Sequence, residues 1–227
     1  TTAHREVAAA AQAGLDVIIT DHHQGEAAMP PALAILNPHR PDSRYPFKGL
    51  CSAGLAFKVV QAYSRKYAAQ WADPESLLDF VALATIADVV PLTAENRSFV
   101  RTGLARMSQR TRCGIQALKV GAGVDGPCTS GAVAFRLAPR LNAAGRLAHA
   151  DLGVRLLTTE CEAEAFEIAQ RLEALNGERQ KIEERTSAEA TASAVFSRAT
   201  LIASTAASRL SPIRSIAPSR RSPMRSI

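Results

Sequence analysis

Apolar and polar positions change rhythm several times along this chain, and each change marks an element. His4 to Ala13 is rich in alanine and other helix formers and stops at Gly14, which predicts a helix ended by glycine. Leu15 to Thr20 then reads as a buried strand, because its apolar run, centred on Val17-Ile18-Ile19, is continuous rather than alternating. Ala34-Ile35-Leu36 predicts a second short strand, closed by Asn37-Pro38. Pro38, Pro41, Pro46 and Gly49 make residues 38–49 a loop. Ser52 is placed to cap a helix through about Ala69, with Leu55, Val59, Ala62 and Tyr63 at helical spacing. Ser76 to Val90 predicts an apolar helix ended by Pro91. Glu95 to Gln109 predicts an amphipathic one with Phe99, Val100, Leu104 and Met107 inward.

Residues 121–131 are glycine-rich and predict a loop, and Ala132 to Leu147 mixes apolar with basic residues. Glu160 to Glu189 is the longest helix candidate. Its stripe of Ala165, Ile168, Leu172, Leu175, Arg179 and Ile182 needs a packing surface, the role of an ordinary connecting helix. Residues 197–227 lose every period and carry the near-repeats Ser211-Pro-Ile-Arg-Ser-Ile and Ser222-Pro-Met-Arg-Ser-Ile. A disordered basic arm and a nucleic-acid tail both fit this composition. Out-of-frame translation of a GC-rich gene fits its abrupt onset best, and native peptides from the tail in mass spectrometry would sink that idea.

Charge changes the picture only locally. Six of the 27 basic residues fall in Ala190–Ile227, which has no acid, leaving 21 bases against 21 acids in residues 1–189. The net charge of +6 therefore belongs to the tail and says nothing of nucleic-acid binding by the body. The length of 227 residues suits one large or two small domains. Cys51, Cys113, Cys128 and Cys161 are too scattered for a zinc knuckle or redox pair and point to a reduced, cytoplasmic setting. No stretch approaches the ~20 apolar residues that span a bilayer, so no membrane partner is expected. The first residues, Thr1 to Glu6, do not resemble a signal peptide.

Three segments carry candidate chemistry. The first strand ends in Asp21-His22-His23, which sets one carboxylate and two imidazoles at its carboxyl end. Open α/β sheets bind ligands there, and Asp with His suits Mn, Fe or Zn. Asp88 stands alone in the apolar run Ala84–Leu92, where a buried charge is costly unless paired or holding a metal. Arg136, Arg140 and Arg146 surround Asn142 and Gly145, offering forked donors that match phosphate oxygens. Each alone has a plainer meaning: a surface His pair, a helix-end acid, a solvated basic turn. Together they point to a metal-dependent hydrolase of phosphate esters.

Longer matches sharpen this. "GLDVIITDHHQ" at Gly14–Gln24, "CSAGLAFKV" at Cys51–Val59, "LATIADVVPLTAENRSFVRTGL" at Leu83–Leu104, "FRLAPRLNAAGRL" at Phe135–Leu147 and "LNGERQKIEE" at Leu175–Glu184 resemble the DHH phosphoesterase superfamily. Within it they resemble the RecJ-like single-strand-specific exonucleases, over roughly Thr1 to Glu189. The resemblance implies an α/β fold: the C-terminal part of a DHH-type domain, its parallel sheet flanked by helices, then a helical region and a long connecting helix. It implies a partial DHH domain over residues 1–110, a helical region with the arginine motif over 111–189 and a basic tail over 190–227. It also implies 5′–3′ hydrolysis of single-stranded DNA in repair and recombination, with Mn2+ or Mg2+ as cofactor and other DNA-repair proteins as further partners. By position, His22 and Asp88 become metal ligands, Asp21 orients the site and His23 faces the phosphate. Arg136, Arg140, Asn142 and Arg146 become contacts to the DNA backbone.

The family's Asp-x-Asp motif, a further upstream Asp and a downstream Gly-Gly-His motif are not in these 227 residues. The expectation is therefore a truncated fragment, weak or inactive alone, with an open sheet edge that invites association. Two other functions compete. One is another DHH phosphoesterase acting on short oligonucleotides, phosphoadenosine phosphate or pyrophosphate. The other is a non-catalytic nucleic-acid-binding remnant, which predicts salt-dependent binding without manganese.

Overall fold

The computed structural model describes residues 2–25, 28–67, 73–109 and 112–209, without the side chains of 192–209. Helix α1 (His4–Gln12) ends as expected, with Gly14 at φ +78° turning the chain into strand β1 (Ile18–Thr20). Strand β2 (Ala34–Leu36) pairs with β1 in parallel, Ile18 opposite Ala34 and Thr20 opposite Leu36. The expected parallel sheet is thus present, flanked by helices and two strands wide among the described residues.

Its burial differs from expectation. Leu15–Thr20 was to be a buried strand, yet Ile18 is 62% exposed, and Leu15, Leu33 and Leu36 are exposed as well. Ile18, Thr20, Ala34 and Leu36 share one sheet face by register, and all four are open to solvent. The continuous apolar run remains the signature of a sheet covered on both faces, but these residues leave one face uncovered.

The core lies in the helices. Helix α2 (Ser52–Tyr67) leads to a 3-10 turn (Pro74–Leu77) that runs straight into α3 (Leu78–Ala87). Asp73 caps the turn by accepting from the Glu75 amide. Helix α3 is buried nearly all round, so its sequence lacks any amphipathic period. It packs closely on α4 (Ala94–Gln109), where Gly103 lies against the Leu78 carbonyl so tightly that an added Cβ would sit 2.1 Å from that oxygen. As predicted, Val100 and Met107 are buried and Phe99 and Leu104 partly so. Of the helically spaced residues of α2, only Leu55 is buried; Val59, Ala62 and Tyr63 are exposed.

Two helices escaped the sequence reading: α5 (Cys113–Gly121) and α8 (Asp151–Thr158). Both are short, and α5 has glycine at its second and last positions, which lowers its propensity. Gly114 is there for packing, since a Cβ would meet the Leu156 carbonyl of α8 at 1.7 Å. Between them lie a single turn α6 (Ser130–Ala132), a π-helical segment (Val133–Leu137) and α7 (Ala138–Leu147). One apolar cluster joins α3, α4, α5, α7, α8 and the start of α9, across the expected boundary at residue 110.

Helix α9 (Glu162–Arg209) buries Ala165, Ile168 and Leu172 of the predicted stripe, with Ala169 beside them; Leu175 and Arg179 are half-buried and Ile182 is exposed. It continues 20 residues beyond the expected end at Glu189, so the part of the tail up to Arg209 is helical. Residues 210–227, with the Ser-Pro near-repeats, lie outside the described residues. The chain divides into two units, Thr1–Arg179 and Gln180–Ile227. All four cysteines are free. No described helix is long and apolar enough to cross a membrane.

Candidate metal and phosphate site

The loop leaving β1 is built by Asp21. Its Oδ1 accepts from the amides of His22 (2.8 Å) and His23 (3.2 Å) and pairs with His23 Nδ1 at 2.8 Å. A short carboxylate that satisfies the next two amides folds the chain back on itself, as Asp does in turns. Buried Asn37, after β2, clamps the same loop from the other side. Its Nδ2 donates to the His23 carbonyl at 3.0 Å, and its Oδ1 accepts from the His39 amide at 2.8 Å. The two strand ends thus hold the His pair, whose rings lie 4.3 Å apart.

The pair is split in exposure. His23 faces solvent, while His22 turns inward and brings Nε2 to 3.3 Å from Asp88 Oδ2. Asp88 is not buried as its apolar surroundings suggested: its side chain is 42% exposed. The reason is that α3 ends at Ala87, so Asp88 is the C-cap and emerges from the apolar run into a cavity. A carboxylate is out of place there, because helix C-termini carry partial negative charge and favour cations. Val89 follows at φ +56°, a conformation that a β-branched side chain adopts only under strain. The backbone is therefore bent sharply just where the acid must point at His22.

The cavity has a volume of about 490 Å³. His22, Asp88 and Asn142 bring its polar groups, and the first turn of α2 reaches it through Ser52 and Ala53. A helix start offers unpaired amide donors and favours anions, so it suits a phosphate. Its other walls include Phe80 and Leu83 of α3, Leu141 of α7 and Leu157 of α8. Cys51, largely buried, also lines it and lies 3.5 Å from the Thr85 hydroxyl, Sγ to Oγ1. The role of the α2 start went unread in the sequence, although "CSAGLAFKV" stood out; nothing in it beyond Ser52 marks a helix start aimed at a site.

The arginine motif is only partly aimed at this cavity. Asn142 lines it. Arg136 donates from Nη2 to the Gly123 carbonyl at 2.7 Å. Arg140 is mostly buried; its Nε pairs with Glu173 of α9 and its Nη1 donates to the Arg136 carbonyl at 2.5 Å. Arg146 lies exposed near the end of α7. The structure thus brings together His22, Asp88 and Asn142, keeps Asp21 and His23 in the adjoining loop outside the cavity lining, and uses Arg136 and Arg140 in internal bonds.

The donor set fits a divalent cation. Two ligands at right angles on an octahedral ion with bonds of ~2.1 Å lie about 3 Å apart. The 3.3 Å between imidazole and carboxylate is close to that spacing. No group of three or more His, Cys, Asp or Glu gathers among the described residues, so His22 and Asp88 alone would supply only two protein donors to an ion.

Residues 1–85 match the model of the DHH family, N-terminal domain. These matched residues include the Asp-His-His triplet at residues 21–23. The chain is also similar to the single-stranded-DNA-specific exonuclease RecJ. It is 43% identical over 186 residues to the Bacillus subtilis protein, and 40% identical over 200 residues to that of Escherichia coli. These matches take in 82% and 83% of this chain but only 23% and 35% of the relatives, so the chain spans about a quarter to a third of their length. The crystal structure of Thermus thermophilus RecJ with Mn2+ superimposes with a TM-score of 0.72 at 38% identity, over 82% of this chain and 28% of that one. A second RecJ structure bound to manganese gives 0.71 at 37% identity, over 82% and 46%.

Proposed function

We propose that this chain supplies part of the catalytic centre of a metal-dependent exonuclease that degrades single-stranded DNA from the 5′ end, in repair and recombination. The observation that carries it is the approach of His22 Nε2 to Asp88 Oδ2 at 3.3 Å, from two different elements, in a cavity that Asn142 and the α2 start also reach. His22 and Asp88 are the residues that hold Mn2+ or Mg2+. Bound there, the ion supplies Lewis-acid chemistry, lowering the pKa of a water and offsetting charge on the phosphate. Asp21 keeps the loop folded and holds His23, which faces the incoming phosphate. Asn142 and the first turn of α2 receive phosphate oxygens. Exposed Arg146 contacts the strand's backbone, while Arg136 and Arg140 hold the motif in shape. The substrate is single-stranded DNA, the setting is the cytoplasm, and other repair proteins are partners.

Manganese titration followed by electron paramagnetic resonance tests the centre. Two protein donors give weak binding, which His22→Ala and Asp88→Ala each abolish. Binding left intact in both variants would refute the assignment. A single strand labelled at one end, supplied with Mn2+, then reads polarity: loss of mononucleotides from the 5′ end supports the activity, and shortening from the 3′ end overturns it.

A further inference from the structure

A second cleft, of about 610 Å³, opens between α2 and the loop after β2. The site described above makes no use of it. Its walls are apolar, yet three tyrosines and two lysines line it: Tyr45, Tyr63, Tyr67, Lys58 and Lys66. Tyr63 and Tyr67 sit on successive turns of α2, 47% and 57% exposed, with ring centroids 4.6 Å apart. Two exposed tyrosine rings side by side, tilted 44° to each other, are an unusual use of aromatic surface in a chain with only 5% aromatic residues. Tyr45 is fixed across the cleft by donating its hydroxyl to Glu95. Lys66 Nζ lies over the Tyr67 ring, 5.3 Å from its centre.

Charge decides what such a cleft takes. Helix α2 carries Lys58, Arg65 and Lys66 and not one Asp or Glu. Glu95 offsets Lys58, with Nζ to Oε1 at 2.6 Å, and leaves Arg65 and Lys66 as a local excess of positive charge at the tyrosine end. Flat aromatic faces beside cations are the two parts of a single-strand binding site: bases stack on the rings and phosphates meet the cations. The volume lies in the range of small-ligand sites of roughly 300–1,000 Å³, enough for a nucleotide or two.

We propose that the Tyr63–Tyr67 cleft is a second subsite for single-stranded nucleic acid, holding one or two nucleotides by stacking. This rests on the single-strand reading of the metal site and extends it: a strand held at two places is degraded with higher affinity and fewer releases. The site acts by binding alone and needs no metal.

The test uses the whole chain, a dye-labelled oligothymidylate and fluorescence anisotropy in EDTA, so that no hydrolysis intervenes. Tyr63→Ala with Tyr67→Ala is expected to weaken binding roughly tenfold, the scale of one stacked base. Tyr63→Phe with Tyr67→Phe keeps the stacking surface and is expected to bind as the parent does. Lys66→Ala is expected to flatten the salt dependence. Circular dichroism checks that the half-exposed alanine variants keep their helices. Equal affinity for parent and alanine pair would overturn the subsite while leaving the manganese experiment untouched. Loss of binding in the phenylalanine pair as well would also overturn it, since stacking would not be the cause. No binding of the strand by the parent would sink the subsite and the single-strand reading together. Retained binding with the loss of manganese in His22→Ala would sink neither and would show the two sites to be separate.

Discussion

Asp88 and Val89 show how one residue's discomfort serves its neighbour. Asp88 sits at a helix C-terminus, where the helix field opposes a carboxylate, and faces His22 across 3.3 Å. Val89, 88% exposed at φ +56°, gains nothing from burial that would offset its strain. A left-handed L-residue costs about 1–2 kcal/mol. Val89→Gly is therefore expected to raise stability by roughly 1 kcal/mol in urea unfolding. The same change frees the backbone beside Asp88 and is expected to weaken manganese binding. A variant that is no more stable, or binds manganese better, would show that the strain is not what aims the acid. Asn96 poses the opposite case. It is fully buried, and its Nδ2 donates to the carbonyls of Gly49 (2.6 Å) and Pro91 (2.9 Å). Asn96→Ala leaves both carbonyls short of a donor and is expected to cost about 1–3 kcal/mol in the same measurement.

Between elements, one polar clip ties the loop after β2, helix α2 and helix α4 together: Tyr45 and Lys58 both donate to Glu95. Burial pushes the Glu95 carboxyl up, but the Lys58 and Tyr45 bonds outweigh it and hold it below its usual 4.5. Burial and the Glu95 bond raise the Tyr45 hydroxyl above its usual 10.0. Burial lowers the Lys58 ammonium, yet its bonds to Glu95 and Tyr45 leave it raised above its usual 10.5. A depressed acid stabilises above its unfolded pKa and loses that support as pH falls through the folded one. Raised tyrosine and lysine groups stabilise below their unfolded values and lose that as pH rises. The clip therefore contributes fully between about pH 4.5 and 10. Thermal unfolding across pH is expected to show Glu95→Gln losing stability at neutral pH, with a deficit that shrinks as pH falls through the lowered pKa of Glu95; a constant deficit at all pH values would deny the clip. Where α3 meets α4, sterics rather than charge decide. Gly103→Ala drives a Cβ to 2.1 Å from the Leu78 carbonyl and is expected to cost ~3 kcal/mol or more, read as a lowered Tm.

At the scale of the whole molecule, what was legible in the sequence follows from which physics is local. Gly14, the Asp-His-His triplet and the period of α4 act within a few residues, and each stands where its pattern put it. Asp88 was found because a lone acid in an apolar run is rare, but its exposure depends on where α3 stops, which no period marks. The internal bonding of Arg140 was invisible because Glu173 is 33 residues away on another helix. The sheet shows the same limit. An unbroken apolar strand announces that something covers it, without saying what. In this chain Ile18, Leu33 and Leu36 form apolar surface beside the edge of a two-stranded parallel sheet. Uncovered parallel sheets and open edges pair with whatever apolar surface is at hand. The chain is therefore expected to associate with a second copy as its concentration rises, seen as growing mass in sedimentation velocity. Ile18→Lys with Leu33→Lys puts charge on the exposed surface without touching the helical core, and is expected to hold the chain monomeric with its helicity intact. Association that persists in this pair would place the contact elsewhere; association lost together with helicity would mean that the surface supports the fold instead.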